Sequence, residues 1–368
     1  MTKTPLVTAM FLVVALGLPA APTSAGPTVG GFASDGVEYV GHVPLNNDTA
    51  GARLLDGYLY LTTSTALHIY DVSEPEAPRR VGVHPLPQQP YFAEEDVDTN
   101  GKILLISSLG TLFVFDVEDK ENPQILAQLA GTDEHTFSCV LYCTYAYGSE
   151  GAIVDLRKPD SPRVVGDWTE GKPATNSHDV TEVARGMVVT SSQPLMLLDA
   201  RRNPRKPKLL AMGGNDDGRF MHGNLWPRKM KDRFLLVGGE SGGPSCDNPS
   251  AAFMTWDASK WKRTRTFTMI DEYRVERGLP TDGDQVADLY CAHWFSTHPA
   301  YKDGGLVAMA WYEHGTRFLQ IDKTGKISEA GWFIPYAGST SAAYWVTDEI
   351  VYAVDYNRGL DILRFTSG

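Results

Sequence analysis

The stretch GTDEHTFSCVLYCTYAYGSEGAIVDLRKPDSPRVVGDWTEGKPATNSHDV, residues 131–180, runs from His135 to His178 and a little beyond each. Between the two histidines lie two apolar runs, Phe137 to Leu141 and Thr144 to Tyr147. A glycine break, GAIVDL, a Pro/Asp turn and PRVVGDW follow. Runs of roughly 5 residues separated by turn residues read as four short antiparallel strands. The same four-part phrase recurs along the chain, and in four copies its first strand opens on a histidine.

The third strands align as ALHIYDVSEPEAPRRVG, TLFVFDVEDKENPQIL, GAIVDLRKPDSPRVVG, LMLLDARRNPRKPKLLA, FMTWDASKWKRTRTF, RFLQIDKTGKISEAGWF and GLDILRF. Six of them close on an aspartate: Asp71, Asp116, Asp155, Asp199, Asp257 and Asp322. An aspartate there accepts backbone N–H bonds as the chain turns into the fourth strand. The first three intervals are 45, 39 and 44 residues, and the last two stretch to 58 and 65. A period of about 40–45 residues with four strands per unit is the pattern of a β-propeller. Seven third strands predict seven blades. The seventh ends almost at the C-terminus without a fourth strand, and VEYVGHVPL near the N-terminus matches the fourth strands PRRVGVHPL and PKLLAMGG. The expected fold is therefore all-β, a seven-bladed propeller over residues 37–368, closed by an N-terminal strand that completes the last blade.

Residues 1–25 read as a secretory signal: Lys3, an apolar run from Met10 to Leu18, and the small-residue site Thr23-Ser24-Ala25. That apolar run is too short to span a bilayer. Residues 26–36 read as a linker. The mature protein is expected to be secreted or extracytoplasmic, monomeric and soluble. The net charge of −12, or −13 without the signal, disfavours nucleic acid and anionic membranes as partners. With 42% apolar and 10% aromatic residues, the chain can bury a large core. Long amphipathic helical patterns are missing, though residues 257–278 can hold a helical turn or two. Two insertions, ESGGPSCDNPSAA and DEYRVERGLPTDGDQVADLY, fall on loops that emerge on one face of a propeller, as a lid or pocket wall.

The first strands begin at Asn47, Glu95, His135, His178, His222, His293 and Ser341. The innermost strand of each blade lines the channel, so these residues stand at its mouth on the face of the insertions. Several neutral imidazoles aimed at one axis suit a transition metal, copper, iron or zinc; scarce carboxylates argue against magnesium and calcium. His135, His178, His222 and His293 are the expected ligands. Glu95 is a further ligand or a base behind them. His314, in WYEHGTR, is a candidate general acid or base, and His298, Trp226 and Trp294 are candidates for the substrate wall. His42, His68 and His84 fall in outer or third strands and read as structural. Four cysteines in an exported chain predict two disulfides, Cys139–Cys143 across a turn and Cys246–Cys291 between neighbouring loops. Nucleophilic-serine, phosphate-loop, dinucleotide and zinc-protease motifs are all missing.

The phrase in GAIVDLRKPDSPRVVG, with HTFSCVLYCTYAYGSEG before it, resembles the secreted LVIVD-repeat proteins over residues 37–368. That resemblance implies a propeller and little about activity. A looser one, to selenium-binding protein/methanethiol oxidase, implies copper on channel histidines. The carotenoid oxygenases, with four histidines on one iron, are an architectural analogy only. The resulting expectation is an exported, metal-dependent oxidoreductase acting on a small organic or sulfur compound, copper being favoured. Its rivals are a metal-dependent lyase or isomerase, and a propeller that binds a ligand or a surface without chemistry.

Overall fold

The computed structural model describes residues 26–27, 30–45, 49–86, 97–108, 110–214, 220–240, 251–275 and 291–366. Its strands fall into antiparallel groups of four in chain order. The first is Thr49–Leu55, Tyr58–Thr63, Ala66–Asp71 and Arg79–Pro85. The burial pattern explains the sequence of each strand. Tyr58–Thr63 and Ala66–Asp71 are buried on both faces and read as continuous apolar runs, whereas Arg79–Pro85 is largely exposed. The apolar clusters are shared between successive groups. Leu105, Leu112 and Val114 of the second meet Phe137, Ala146 and Val154 of the third. The last such cluster joins Leu59, Leu61 and Tyr70 to Ile350, Tyr352 and Leu360, so the array closes on itself. Tyr352 Oη donates across that junction to Pro75 O at 2.7 Å.

The N-terminal strand Val37–Pro44 pairs antiparallel with Gly359–Phe365, as the outermost strand of the sheet Thr340–Trp345, Ile350–Asp355 and Gly359–Phe365. It carries a bulge at Val40, between Tyr39 and Gly41. The same bulge recurs in the other outermost pairs, for example at Val81 and Val165. The chain's first strand thus has the geometry of the other fourth strands. Glycine follows the bulge at Gly82 and Gly166 because a neighbouring turn docks there. A Cβ would lie 2.0 Å from Lys120 O at Gly82 and 2.4 Å from Arg205 O at Gly166.

Every third-strand aspartate forms the expected turn. Its Oδ1 accepts the N–H two residues on, as in Ser73 to Asp71 (2.9 Å), Arg157 to Asp155 (3.1 Å) and Thr324 to Asp322 (2.7 Å). The helical turn is Trp261–Thr264. The linker expectation fails. Gly31–Ala33 pairs with Ile327–Pro335 and, with Gly26–Pro27, extends that sheet to six strands, because the edge would otherwise stand open. Two groups of four also merge into an eight-stranded sheet, where Lys208–Gly213 runs parallel to Thr266–Tyr273. No helix among the described residues is long and apolar enough to cross a membrane.

Deleting residues 1–45 leaves Gly359–Phe365 as a bare edge beside exposed core. The truncated chain is expected to unfold about 10 °C or more below the full chain, and to aggregate, as read by scanning calorimetry and light scattering.

Candidate histidine centre

Three of the four histidines stand two residues ahead of an innermost strand: His135 before Phe137–Val140, His178 before Val180–Ala184, His293 before Phe295–Thr297. His222 lies inside Phe220–Leu225, where the register slips between Met221 and Gly223, so a bulge aims its ring. Backbone bonds fix the approach. His178 N donates to Ser191 O at 3.2 Å and His293 N to Ala310 O at 3.0 Å; Thr136 Oγ1 ties the sheet of His135 to that of His178 through His178 O at 2.7 Å.

The four rings meet in sequence. His135 Nε2 and His178 Nε2 are 3.1 Å apart. The His178 and His222 rings stack at 3.7 Å between centroids, and His222 and His293 follow at 4.0 Å. His222 and His293 are fully buried. The His293 Nδ1–H donates to Ser341 O, which leaves Nε2 with the lone pair that a metal requires. Trp294 covers the group, 5.0 Å from His222 and 6.3 Å from His178 and from His293.

A carboxylate joins them, and it is Glu240. One oxygen lies 3.7 Å from His222 Nε2; the other accepts the hydroxyl of Tyr312, whose ring is 4.5 Å from His293. Donor atoms of His178, His222 and Glu240 all fall within 4.8 Å of one another. Two nitrogens bound to one ion at about 2.0–2.1 Å sit about 2.9 Å apart at right angles and about 3.3 Å apart in a tetrahedron, which brackets the His135–His178 separation. This donor set of imidazoles with one carboxylate suits copper, iron or zinc. A cavity of about 280 Å³ opens beside it, lined by His135, His178, Phe220 and Met221 with Glu150 and Gln193 among its polar groups.

Glu240 does not stand at the start of a first strand, the position that marks the histidines in the sequence. The second strand runs back to the same face, and Glu240 ends Phe234–Glu240 directly opposite Phe220. A hairpin reading of the sequence contains that information. Glu95, the carboxylate chosen from sequence, lies outside the described residues, as do Asn47 and Cys246.

The other candidates lie elsewhere. Trp226 is core: its Nε1 donates to Asp232 O at 2.9 Å and its ring meets Trp261 and Phe267 edge-on. His298 caps a turn: Nε2 donates to Asp348 O (2.9 Å) and Nδ1 accepts from Ala300 N (3.0 Å). His314 is fully buried and accepts from Arg317 Nη2 at 3.3 Å; Arg317 in turn pairs with Glu329 at 3.2 Å. Cys139 and Cys143 form a disulfide. Cys291 is also disulfide-bonded.

Asp355 adds a buried carboxyl near the mouth. Desolvation pushes it up to about 7, helped by nearby Asp361, against N–H donors from Ser339 and Asn357. The folded chain therefore keeps a proton that the unfolded chain, at 3.8, releases. Its stabilising effect is complete below about 4 and is lost as pH rises through about 7. The difference in unfolding free energy between the wild type and Asp355→Asn, measured by urea titration, should therefore shift against the wild type from pH 4 to 7.5.

No protein-family model matches this chain, and no curated protein matches it. Solved structures do. U3-55K is 10% identical with a TM-score of 0.59, over 94% of this chain and 100% of that one. The WD40 repeats of RRP9 give 10% and 0.55, over 94% and 99%. A chain of a mitotic checkpoint complex gives 12% and 0.58, over 98% and 100%. At such identities the likeness establishes the fold alone: an all-β propeller.

Proposed function

We propose that this protein is a seven-bladed propeller that holds one transition-metal ion on His135, His178, His222 and His293. Glu240 is the fifth donor, or the carboxylate that orients His222. Copper is favoured over iron and zinc. With that ion the protein acts as a metal-dependent oxidoreductase on a small organic or sulfur compound. The observation that carries the reading is the meeting of four histidines from successive four-stranded groups, with His178, His222 and Glu240 donors inside 4.8 Å. A bound copper or iron would supply one-electron chemistry at the channel mouth. Around it, Tyr312 and Glu240 form a pair that can hold and pass a proton, and Trp294 excludes water from one side. At about 30 Å³ per heavy atom the cavity admits a small ligand of roughly ten heavy atoms. Export fits the signal-like residues 1–25 and the Cys139–Cys143 disulfide.

The second reading is a ligand-binding or interaction propeller without chemistry. The WD40-type neighbours favour it, one of them a chain of a mitotic checkpoint complex. Elemental analysis of untagged protein separates the two. About one equivalent of copper, iron or zinc is expected, with less than a tenth of that in His178→Ala/His222→Ala. No metal after reconstitution in either protein leaves the interaction reading. If metal is present, turnover that persists without oxygen favours a lyase or isomerase over an oxidase. Glu240→Gln is expected to weaken metal affinity roughly 10- to 100-fold with the fold intact, read by chelator competition.

A further inference from the structure

The charge of the chain is unevenly placed. Third-to-fourth-strand turns and first-to-second-strand turns all emerge on the face opposite the histidines. On three successive blades these turns read RKPDSPR (157–163), RRNPRKPK (201–208), RKMKDR (228–233) and KWKRTR (260–265). They hold 16 of the chain's 33 lysines and arginines against two acids, Asp160 and Asp232, in a protein of net charge −12. All sixteen are exposed. Asp155, Asp199 and Asp257 at the strand ends are each paired with an arginine of these turns. The equivalent turns of the first two blades are not basic: Glu74, Glu76, Glu118, Asp119 and Glu121 stand against Arg79, Arg80 and Lys120. The cations therefore form one sided patch, not a general surface property.

The turns belong together in space. Arg205 of one blade reaches Asp155 of the previous one at 3.5 Å, and Arg265 Nη1 donates to Leu210 O at 3.5 Å across the next junction. Aromatic tips are set among the cations. Tyr142 is 66% exposed in the Cys139–Cys143 turn, with the Arg185 guanidinium 5.3 Å from its ring, and half-buried Trp261 carries Lys262 at 5.7 Å.

We infer that this face docks on an anionic lipid bilayer. A set of turn tips on one face of the ring meets a surface broadside, where a linear polyanion would be better served by a cleft. Tyrosine and tryptophan beside lysine and arginine is the composition that settles at the headgroup level. Each cation held near such a surface adds attraction that salt screens. The overall negative charge, which from sequence argues against anionic membranes, is overridden locally because blades three to five carry the opposite sign. Docking this way would leave the histidine mouth facing away from the lipid.

The test is co-sedimentation of the full mature chain with vesicles of phosphatidylcholine alone or with 30% phosphatidylglycerol, at 50 and 500 mM NaCl. Heparin and single-stranded DNA serve as competing ligands. Binding to the anionic vesicles at least ten-fold above the neutral ones, lost at 500 mM, is expected. The variant R202E/K206E/K262E/R263E should lose about 100-fold in partition with an unchanged melting curve, and Tyr142→Ala should lose several-fold. Equal binding to both vesicle types, binding to neither, retention on heparin or DNA alone, or an R202E/K206E/K262E/R263E variant that folds and still binds would each overturn the proposal. Metal content is not part of the readout, so the outcome is independent of the histidine centre.

Discussion

The constraint on which everything else rests is that no four-stranded sheet here can cover its own faces. Second and third strands such as Ile103–Ser108 and Thr111–Asp116 are apolar on both sides. Each sheet must therefore lie between two others, and the apolar clusters fall at those junctions. A linear stack would leave two apolar faces in water. Joining Leu59 and Tyr70 to Ile350 and Tyr352 removes both. The N-terminal strand meets a related need, since it gives Gly359–Phe365 a partner and links the two ends of the chain through the sheet.

Closure also explains why residues as far apart as His135 and His293 can meet in one row. Each innermost strand enters from the same face, so equivalent positions meet around one axis. That made the histidines legible from alignment alone, as it did the aspartate turns and the outer-strand match of VEYVGHVPL. Residues whose position depends on strand direction, not on repeat position, were harder. Glu240 and Tyr312 reach the centre from a strand end and a turn. His298, five residues beyond His293, has followed its strand to the far end and bonds Asp348 O there. Gly31–Ala33 carries too short a pattern to announce a strand, and it forms one because an open edge lies next to it.

The basic turns were invisible for a related reason. In sequence they are four separate short stretches diluted by acidic segments, and the net charge hides them. Only the common direction of the strands brings them to one face, opposite the histidines. Charge, like the metal-type donors, is organised by blade position.

Below the histidines the channel is polar for structural reasons. Asp98 accepts Cys139 N–H at 2.8 Å and pairs with Arg53 at 3.4 Å. Asp179, pushed up to about 6 first by burial and then by the charge of Asp98, is held by Thr181 and Ser138. These groups satisfy one another and the innermost backbone. The histidines instead meet one another and Glu240, with His293 also bonding an innermost carbonyl, Ser341 O. The equivalent place in the last sheet is held by Ser341, and that sheet closes the ring without an imidazole at this position. Burying aromatic rings with polar nitrogens costs solvation that an apolar residue would not. Four of them in one row, with a carboxylate and a tyrosine hydroxyl added, is more than the fold requires. That excess over the requirements of packing is the physical argument for chemistry at the channel mouth.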